Sequence, residues 1–373
     1  MRTARIDHQD IAVLLDEVAG FAASRIAPLT ARADQPIDAD TLATLSHEAA
    51  ALGILPAIDG SEGYGLWEQT DDANAMAFNI FALVHIASAN AGVAMAWHRA
   101  ALAQAMCRLI GWPVEQASPL AMTVATSGHI GLARSALAHW LHGSLYEDDR
   151  PILADWLDRR LRHTVVTAVP MWEQLLWPMW HDDAIYWQRL RRDQVMLHPC
   201  RHQHGFDELH TWQVSAAPET GERIRTTPAQ MSALIILESL GLLAISTGIA
   251  RHGKQMAEAY TGVRKQGGKT IVEHPAVQNL LGTIRQVYWE AKTTLHALSQ
   301  PLSALTVKDA LVARQQLLPR LCLAANHVMQ VHGGIGYMQD CGPEKLLRDQ
   351  NMLRLQSGGV RDIPLFVQAW AEE

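Results

Sequence analysis

The amino-acid sequence predicts a mainly α-helical protein with a β middle domain, in the order helical domain, β domain and helical bundle. Three observations carry this prediction. Apolar residues recur at helical spacing over much of residues 11–110. Short runs rich in β-branched and aromatic residues, punctuated by Pro and Asp, occupy residues 163–218. Helical periodicity returns at residue 227 and continues through most of the remaining chain.

Length and composition are those of a globular enzyme. A chain of 373 residues can form two or three domains with a large buried core, and its 18% of charged residues argues against disorder. The net charge of -7 gives no reason to expect a nucleic acid as partner. The four cysteines lack CxxC spacing, so we expect no disulfide framework, no metal site and a reducing, cytoplasmic location.

The first predicted domain, residues 1–117, is helical. One helix begins near Ile11 and ends at Pro28. Residues 75–110 are apolar nearly all round, which indicates a buried helix or a pair of helices with a break at Asn90 and Gly92. Because the apolar stretches contain His, Asn and Ser, we expect buried helices and no membrane span, and the N-terminal residues show no signal-peptide pattern.

The second predicted domain, residues 118–226, is predominantly β. Four runs predict strands: HTVVTAVPMW, DAIYWQRL, DQVMLHP and HTWQVSAAP. Before the first of these runs, residues 135–163 have helical periodicity. The middle domain is therefore expected to contain a helical insert.

The third predicted domain, residues 227–373, is a helical bundle. Thr227 can cap a helix whose first turn contains Pro228, and this helix ends within residues 263–269. Further helices are predicted over residues 275–298, 307–331 and 344–355.

A glycine-rich turn, VHGGIGYMQDCGPEKLLRD, lies between two of these helices. Backbone without side chains at Gly333, Gly334 and Gly336 permits close approach of another group. The turn is therefore either a tight helix-to-helix connection or a contact with a ligand.

Two segments of the C-terminal third resemble motifs of the acyl-CoA dehydrogenase family. The stretch VMQVHGGIGYMQDCGPEKLLRD is similar to the family's Q-hydrophobic-x-GG-x-G segment and the E-[KR]-L-x-RD helix that follows it. The stretch AEAYTGVRKQGGKTIVEHPAVQNLL resembles its segment with Y-x-x-x-R-x-x-F-G, and HIASANAGVAMAWH is a weaker match. The resemblance implies a helical N-terminal domain, a small β middle domain and a C-terminal four-helix bundle.

The resemblance also implies FAD as cofactor, held between the subunits of a homodimer or homotetramer. It places Arg264 at the diphosphate, where a guanidinium group suits the anion. Thr126 and Ser127 are the candidates for donors to the flavin ring, in a middle domain that otherwise lacks the family's flavin signature. The adenosine side of FAD would contact Gln330, Val331, His332, Gly333 and Gly334.

The family's reaction needs a carboxylate beside the α-carbon of an acyl thioester, in a dry cavity that raises its pKa. Counted without gaps from Gln330, the usual position of this base is Ser357 here. The resemblance therefore assigns Ser357 and Gly358 to the substrate pocket. A serine hydroxyl cannot take up the proton without a base of its own, so the usual carboxylate is absent.

A minority of the family carries the catalytic glutamate on an earlier helix of the bundle. Counting back from Arg264 puts that position at Glu238. Glu238 is the only charged residue from Pro228 to Ala250, and burial of an unpaired charge is expensive. Glu238 is therefore either the catalytic base or a polar position that faces solvent.

Three functions stay open at this point. The first is an FAD-dependent acyl-CoA dehydrogenase of fatty acid metabolism, acting on acyl-CoA or another acyl thioester. The second is a non-catalytic subunit or scaffold that completes the site of a related partner in a hetero-oligomer, which the altered middle domain motivates. The third is a flavin monooxygenase on the same fold, which needs no α-carbon base and leaves Glu238 without a role.

Overall fold

The computed structural model describes residues 8–58, 63–114, 117–125, 134–157, 164–200, 202–217 and 220–370. Within these ranges the chain runs from a group of N-terminal helices through a region of short strands to a second group of helices. This is the order of elements that the sequence predicts. The proposed domain boundaries at residues 117/118 and 226/227 stay predictions, and strands β1–β7, defined below, all lie between them.

In the described ranges, the N-terminal group has four α-helices. The first continues past Phe21 into a π-helical turn, Ala22–Ile26, and a 3-10 turn, Ala27–Thr30, which contains Pro28. The second was not predicted, and it begins after Asp38, whose side chain accepts a hydrogen bond from the Thr41 amide. The helices are α1 (His8–Phe21), α2 (Ala39–Ala51), α3 (Ala73–Ala89) and α4 (Ala91–Ile110).

Asn90 separates α3 from α4, as predicted. Its backbone is extended, and its side chain accepts a hydrogen bond from the Val93 amide at 2.9 Å. Asn90 therefore ends one helix and caps the next, which explains how two nearly uniformly apolar helices follow each other without a loop.

The strands form two sheets in the middle region. One has the order β1-β3-β4-β7 and the other β2-β6-β5, and each pair is antiparallel except β1 with β3. The four strands predicted from sequence, β2, β4, β5 and β6, are confirmed, and the helical insert contains α5 (Arg134–Leu141) and α6 (Asp149–Trp156). The strands are β1 (Met122–Val124), β2 (Thr164–Ala168), β3 (Gln174–His181), β4 (Ala184–Arg191), β5 (Val195–Pro199), β6 (His210–Ala216) and β7 (Glu222–Arg225).

Strand β3 was not predicted from the sequence, because Pro178 lies inside it. Proline cannot donate to a sheet ladder and is found on edges. Among the described strands, β1 pairs with β3 only as far as Leu176, so from Trp177 onward β3 has β4 as its single neighbour. Pro178 therefore lies where one side of the strand is an open edge.

The C-terminal helices agree with the predicted bundle. Thr227 caps the long first helix: its hydroxyl accepts from the Gln230 amide at 3.2 Å, and Gln230 accepts from the Thr227 amide at 2.9 Å. The last helix follows Gly358 and was not predicted. The helices are α7 (Pro228–Val263), α8 (Pro275–Ala297), α9 (Val307–His332), α10 (Pro343–Leu355) and α11 (Gly359–Ala369). A short pair, β8 (Lys265–Gln266) with β9 (Lys269–Thr270), follows α7.

Helix α7 is the core element that joins the two helical groups. Helices α3 and α4 pack on it from the N-terminal group, and α8 and α9 pack on it from the C-terminal group. It is long and apolar enough to cross a membrane, but its apolar window is wholly buried inside the protein. The position of α7 in the core thus accounts for its hydropathy.

Gly248 and Gly262 on α7 give a matched test of this packing. A Cβ atom on Gly248 would lie 2.6 Å from both Ala87 Cβ and the Val84 carbonyl oxygen of α3, whereas one on Gly262 would meet nothing within 4 Å. We expect Gly248→Ala to lower the free energy of unfolding by about 1–3 kcal/mol. Gly262→Ala should raise it by about 0.4–1 kcal/mol, because alanine restricts the unfolded chain. Urea denaturation of both variants measures the difference, and equal effects would contradict close packing of α3 on α7.

Candidate active site

The Glu238 side chain is fully buried, with 0% of its surface exposed. It projects from α7 into the contact between α7, α4, α9 and the turn between α10 and α11. The alternative in which Glu238 faces solvent is therefore wrong. A buried carboxylate must be paired, and its partners define the site.

Ser357 is one of these partners, although 119 residues separate it from Glu238. Its hydroxyl donates a hydrogen bond to Glu238 Oε1 at 2.7 Å. Ser357 lies in the 3-10 turn Gln356–Gly358 with φ 51° and ψ 47°, a left-handed conformation that is uncommon for residues with a side chain. The two sequence positions at which the resemblance places a base thus meet at one point in space.

Arg99 and His98 of α4 supply two further donors. Arg99 Nη1 lies 2.9 Å from Glu238 Oε1, and His98 Nε2 lies 3.0 Å from Glu238 Oε2. Both side chains are buried, with 3% and 0% exposed. Donors from α4 and from the 356–358 turn therefore surround the carboxylate on α7.

Trp67 determines the protonation of His98. The indole Nε1–H of Trp67 donates to His98 Nδ1 at 3.0 Å, and an indole nitrogen can only donate. His98 Nδ1 is therefore the acceptor, and His98 Nε2 carries the proton that it donates to Glu238. Burial lowers the pKa of His98 and outweighs the opposing effect of Glu238, so the imidazole is neutral.

Gly241 leaves room for the His98 ring to pack against α7. A Cβ atom at Gly241 would lie 2.1 Å from His98 Cε1 and 2.5 Å from both ring nitrogens. Gly241 is one helical turn beyond Glu238, on the same face of α7. The imidazole therefore reaches Glu238 only because residue 241 has no side chain.

Arg314 of α9 holds the turn that carries Ser357. Its guanidinium group donates to the carbonyl oxygens of Gln356 and Ser357. The Gln356 side-chain oxygen also accepts from Arg99 Nη2 at 3.0 Å. Arg99 and Arg314 therefore fix the Gln356–Gly358 turn from two sides. Gly358 lies in this turn with φ 93°, a backbone conformation that favours glycine. Its assignment to the substrate pocket stays a prediction.

The charges of this cluster determine the state of the carboxylate. Burial alone would raise the pKa of Glu238, but Arg99, His98 and Ser357 outweigh it and hold that pKa well below its usual range. Burial lowers the pKa of Arg314 to about 10, so its guanidinium group stays charged at neutral pH. Together these side chains carry two positive charges and one negative charge.

This arrangement can hold an ionised carboxylate next to a hydroxyl group in a dry environment. Such a carboxylate is present in the form that accepts a proton, but the donors around it make it a weak base. Stronger basicity requires that at least one of these donors moves away from Glu238.

The residues predicted to contact FAD lie at the far end of α7. The ring of His332, at the end of α9, stacks on Tyr260 of α7 with ring centres 4.5 Å apart, and Arg264 follows Tyr260 by one turn. Gly333 and Gly334 are exposed, and nothing lies within 4 Å of a Cβ atom placed on either. The structure thus brings Arg264 near the segment Gln330–Gly334 and leaves open space at its glycines.

Gly336 has a different role from Gly333 and Gly334. A Cβ atom there would lie 2.7 Å from the Met329 carbonyl oxygen. Gly336 therefore permits the tight 3-10 turn Gly333–Tyr337 between α9 and α10. The tight helix-to-helix connection thus accounts for Gly336, and a ligand contact at Gly333 and Gly334 stays a prediction.

Glu238 and Arg264 are far apart within one chain. Arg264 directly follows α7 and is 26 residues beyond Glu238, so a rise of 1.5 Å per residue separates them by about 39 Å. The predicted base therefore lies in the first third of this helix, and the predicted diphosphate contact lies at its C-terminal end. Thr126 and Ser127, the predicted flavin-ring donors, lie outside the described residues.

Sequence reasoning missed Trp67, His98, Arg99 and Arg314. The rule that singled out Glu238, a lone charge in an apolar helix, would also have found Arg99, because the stretch AGVAMAWHRAALAQAM has no other charged residue. Trp67 and Arg314 carry no such signal, since each lies among other polar residues. Their roles follow only from contacts between distant segments.

Comparison with known proteins places the C-terminal helices in a family. Residues 228–363 match the model of the acyl-CoA dehydrogenase C-terminal domain. A curated relative, named "Probable acyl-CoA dehydrogenase YngJ" from Bacillus subtilis (strain 168), is 29% identical over 126 residues, which are 32% of each chain. The match therefore spans about a third of that relative's length.

Solved structures match over nearly the whole chain. Butyryl-CoA dehydrogenase from Megasphaera elsdenii has a TM-score of 0.71 at 14% identity, covering 98% of this chain and 99% of the other. A glutaryl-CoA dehydrogenase from Mycobacterium smegmatis in complex with FADH2 has a TM-score of 0.71 at 12% identity, covering 98% and 95%. At such identities the likeness shows the fold alone. Residues 228–363 thus match the C-terminal domain of the acyl-CoA dehydrogenase family, and the chain as a whole has the fold of these solved structures.

Proposed function

We propose that this protein is an FAD-dependent oxidoreductase that acts on an acyl thioester, with Glu238 as the base that takes the α-proton. One observation carries the proposal: Ser357 and Glu238, at the two positions where the family carries its base, are hydrogen-bonded at 2.7 Å in a fully buried site. The serine that replaces the usual carboxylate therefore has a carboxylate beside it.

Proton transfer to Glu238 requires the release of a donor. Ser357 is the donor that is released with least loss, because its hydroxyl rotates freely and carries no charge. Arg99 and His98 are held from a second side by Gln356 and Trp67. A substrate that displaces the Ser357 hydroxyl leaves Glu238 with one donor fewer and raises its pKa. FAD, when bound, supplies the acceptor for the β-hydride.

FAD fits the exposed end of α7 as a contact of the neighbouring chain. Arg264 is exposed there, and the open glycines Gly333 and Gly334 leave its surroundings accessible. Because about 39 Å of helix separates Arg264 from Glu238, the residues Gln330 to Gly334 and Arg264 of one chain would hold the FAD that serves Glu238 of another. The proposal therefore includes a homodimer or homotetramer. Thr126 and Ser127 stay proposed donors to the flavin ring.

A second candidate function is a non-catalytic subunit that completes a related partner's site. The observation that favours it is the lowered pKa of Glu238, since a dehydrogenase base works best with a raised pKa. In that case the hydrogen bonds of Glu238 serve to hold α7, α4 and the Gln356–Gly358 turn together. A cytoplasmic location stays a prediction for both functions.

Glu238→Gln tests the role of the base. We expect it to lower kcat for acyl-CoA oxidation by about 10²- to 10⁴-fold, because glutamine keeps the shape but accepts no proton. Steady-state kinetics with an artificial electron acceptor measures this loss, and flavin content should stay unchanged.

The matched control is Glu258→Gln, on the same helix but paired with Lys254 and Arg285 at the surface. It should keep the wild-type rate. Undiminished turnover in Glu238→Gln would rule out the assignment of the base.

Bound flavin separates the two candidate functions. We expect the purified protein to show the visible absorption band of oxidised flavin, and Arg264→Gln to retain less flavin because a diphosphate contact is lost. Arg285→Gln, which removes an exposed arginine of α8, should retain as much as the wild type. A colourless wild-type protein that binds no added FAD would support the non-catalytic subunit instead.

Acid stability tests the ionisation of Glu238. Its pKa is lower in the folded than in the unfolded protein, so its contribution is present above the unfolded pKa of about 4.3 and is lost as the pH falls below it. Between about pH 5 and 3, the free energy of unfolding should fall more steeply for the wild type than for Glu238→Gln. Urea denaturation across this range measures both slopes, and parallel curves would show that Glu238 is not held ionised.

A further inference from the structure

A cavity of about 460 Å³ lies between the N-terminal helices and the C-terminal region, apart from the Glu238 site. Its walls come from α1 and the π-helical turn after it, from α3, from the middle of α7 and from residues 340–342. Of the described residues assigned above to the base, the substrate pocket or FAD, none lines it. The cavity is therefore separate from the contacts that these described residues make in the proposed reaction.

Small side chains create this space. Ala19, Ala22 and Ala27 line it from the N-terminal segment, and Ala89 lines it from α3. Two of these alanines lie in or directly after the π-helical turn Ala22–Ile26. π-Helical turns are rare and often occur at functional sites, so this wall is unusual in conformation as well as in composition.

Arg251 of α7 places a positive charge in the wall. Its Nη1 donates to His85 Nδ1 at 2.7 Å, so this imidazole nitrogen is an acceptor. Burial, and next the charge of Arg251, lower the pKa of His85 to about 4, so His85 is neutral. Among the described residues, no carboxylate lies within ion-pair distance of Arg251. A half-buried guanidinium group thus has a neutral partner and no counterion.

Neighbouring cations differ from Arg251 in this respect. Lys345, beside a smaller adjoining cavity, has Asp349 at 2.9 Å and Glu208 at 3.2 Å. Arg32 has Asp34 at 2.7 Å. Within the described part of the chain, Asp340 is the acidic residue that lines the larger cavity, and it is exposed. Two more distant charges, Asp16 and Lys292, act on His85 with opposite signs.

We propose that this cavity binds a small organic anion, with a carboxylate or phosphate group paired to Arg251 and a short apolar chain against the alanine walls. A guanidinium group presents parallel N–H donors that match either anion. The volume lies within the range of small-molecule sites. Arg251 gains the counterion that the described residues do not supply.

Isothermal titration of the full-length protein tests the proposal with butyrate, butyl phosphate and butyramide as probes. We expect saturable binding of at least one of the two anions with one site per chain, and at least tenfold weaker binding of the neutral amide. The comparison of the two anions identifies which head group the site prefers. Absence of saturable binding for both anions would overturn the proposal.

Variants locate the binding. Arg251→Gln should weaken binding of the anion at least tenfold, and Ala27→Leu should do the same by filling the cavity without changing its charge. Arg223→Gln, an exposed position on β7, is the matched control and should bind as the wild type does. Unchanged affinity for the anion in Arg251→Gln would overturn the assignment of the anion to this cavity. If Arg251→Gln does not fold, unchanged affinity in Ala27→Leu would overturn it. The readout is binding, so it is independent of flavin and of turnover.

Discussion

The burial of one carboxylate constrains how the helical segments of this protein meet. Glu238 projects from α7 into the interior, where an ion without partners would cost several kcal/mol. Its partners come from α4 and from the turn Gln356–Gly358, which are separated in sequence by more than 200 residues. The N-terminal helices and the end of the chain must therefore converge on α7 for the carboxylate to be accommodated. Trp67 and Arg314 add a second layer of contacts. Trp67 orients His98, and Arg314 holds the turn that carries Ser357; His98 and Ser357 in turn contact Glu238.

The hydrogen bonds that stabilise the buried Glu238 carboxylate also oppose its proposed role as a base. An anchor is strongest when every oxygen of the carboxylate accepts a hydrogen bond, and each such bond lowers the pKa. A base that removes an α-proton works best with a raised pKa. One carboxylate cannot satisfy both requirements in a single arrangement. In the proposed reaction, Glu238 therefore depends on a substrate that displaces one of its donors. Ser357 is an uncharged donor and lies in a strained turn.

The sequence predicted helix boundaries correctly where a neighbouring side chain determines them. Asn90 ends α3 because its side chain caps α4, and Thr227 begins α7 for the same reason; both boundaries were predicted. Strand β3 was not, because Pro178 argues against a strand unless the pairing of its neighbours is known. At the site, the sequence identified Glu238 and Ser357 through the family resemblance. It could not identify the donors, since the contact of Arg99 with Glu238 joins residues 139 apart and arises only from the packing of α4 on α7.

Charges on α7 show how one apolar helix can serve two separate regions. Glu238 and Arg251 are 13 residues apart, about 20 Å along the axis, and point to different faces. Glu238 meets the charged donor Arg99 and the neutral donors His98 and Ser357, all from distant segments. Arg251 meets a neutral imidazole and, in the described part of the chain, no carboxylate, because the helices opposite it present alanines. Burial of Arg251 would cost less free energy if a carboxylate lay opposite it, or if an apolar residue replaced it. The fold alone therefore does not account for Arg251. The described residues leave the charge of Arg251 without a counterion beside a cavity, and the proposed anionic ligand accounts for it by bringing the opposite charge.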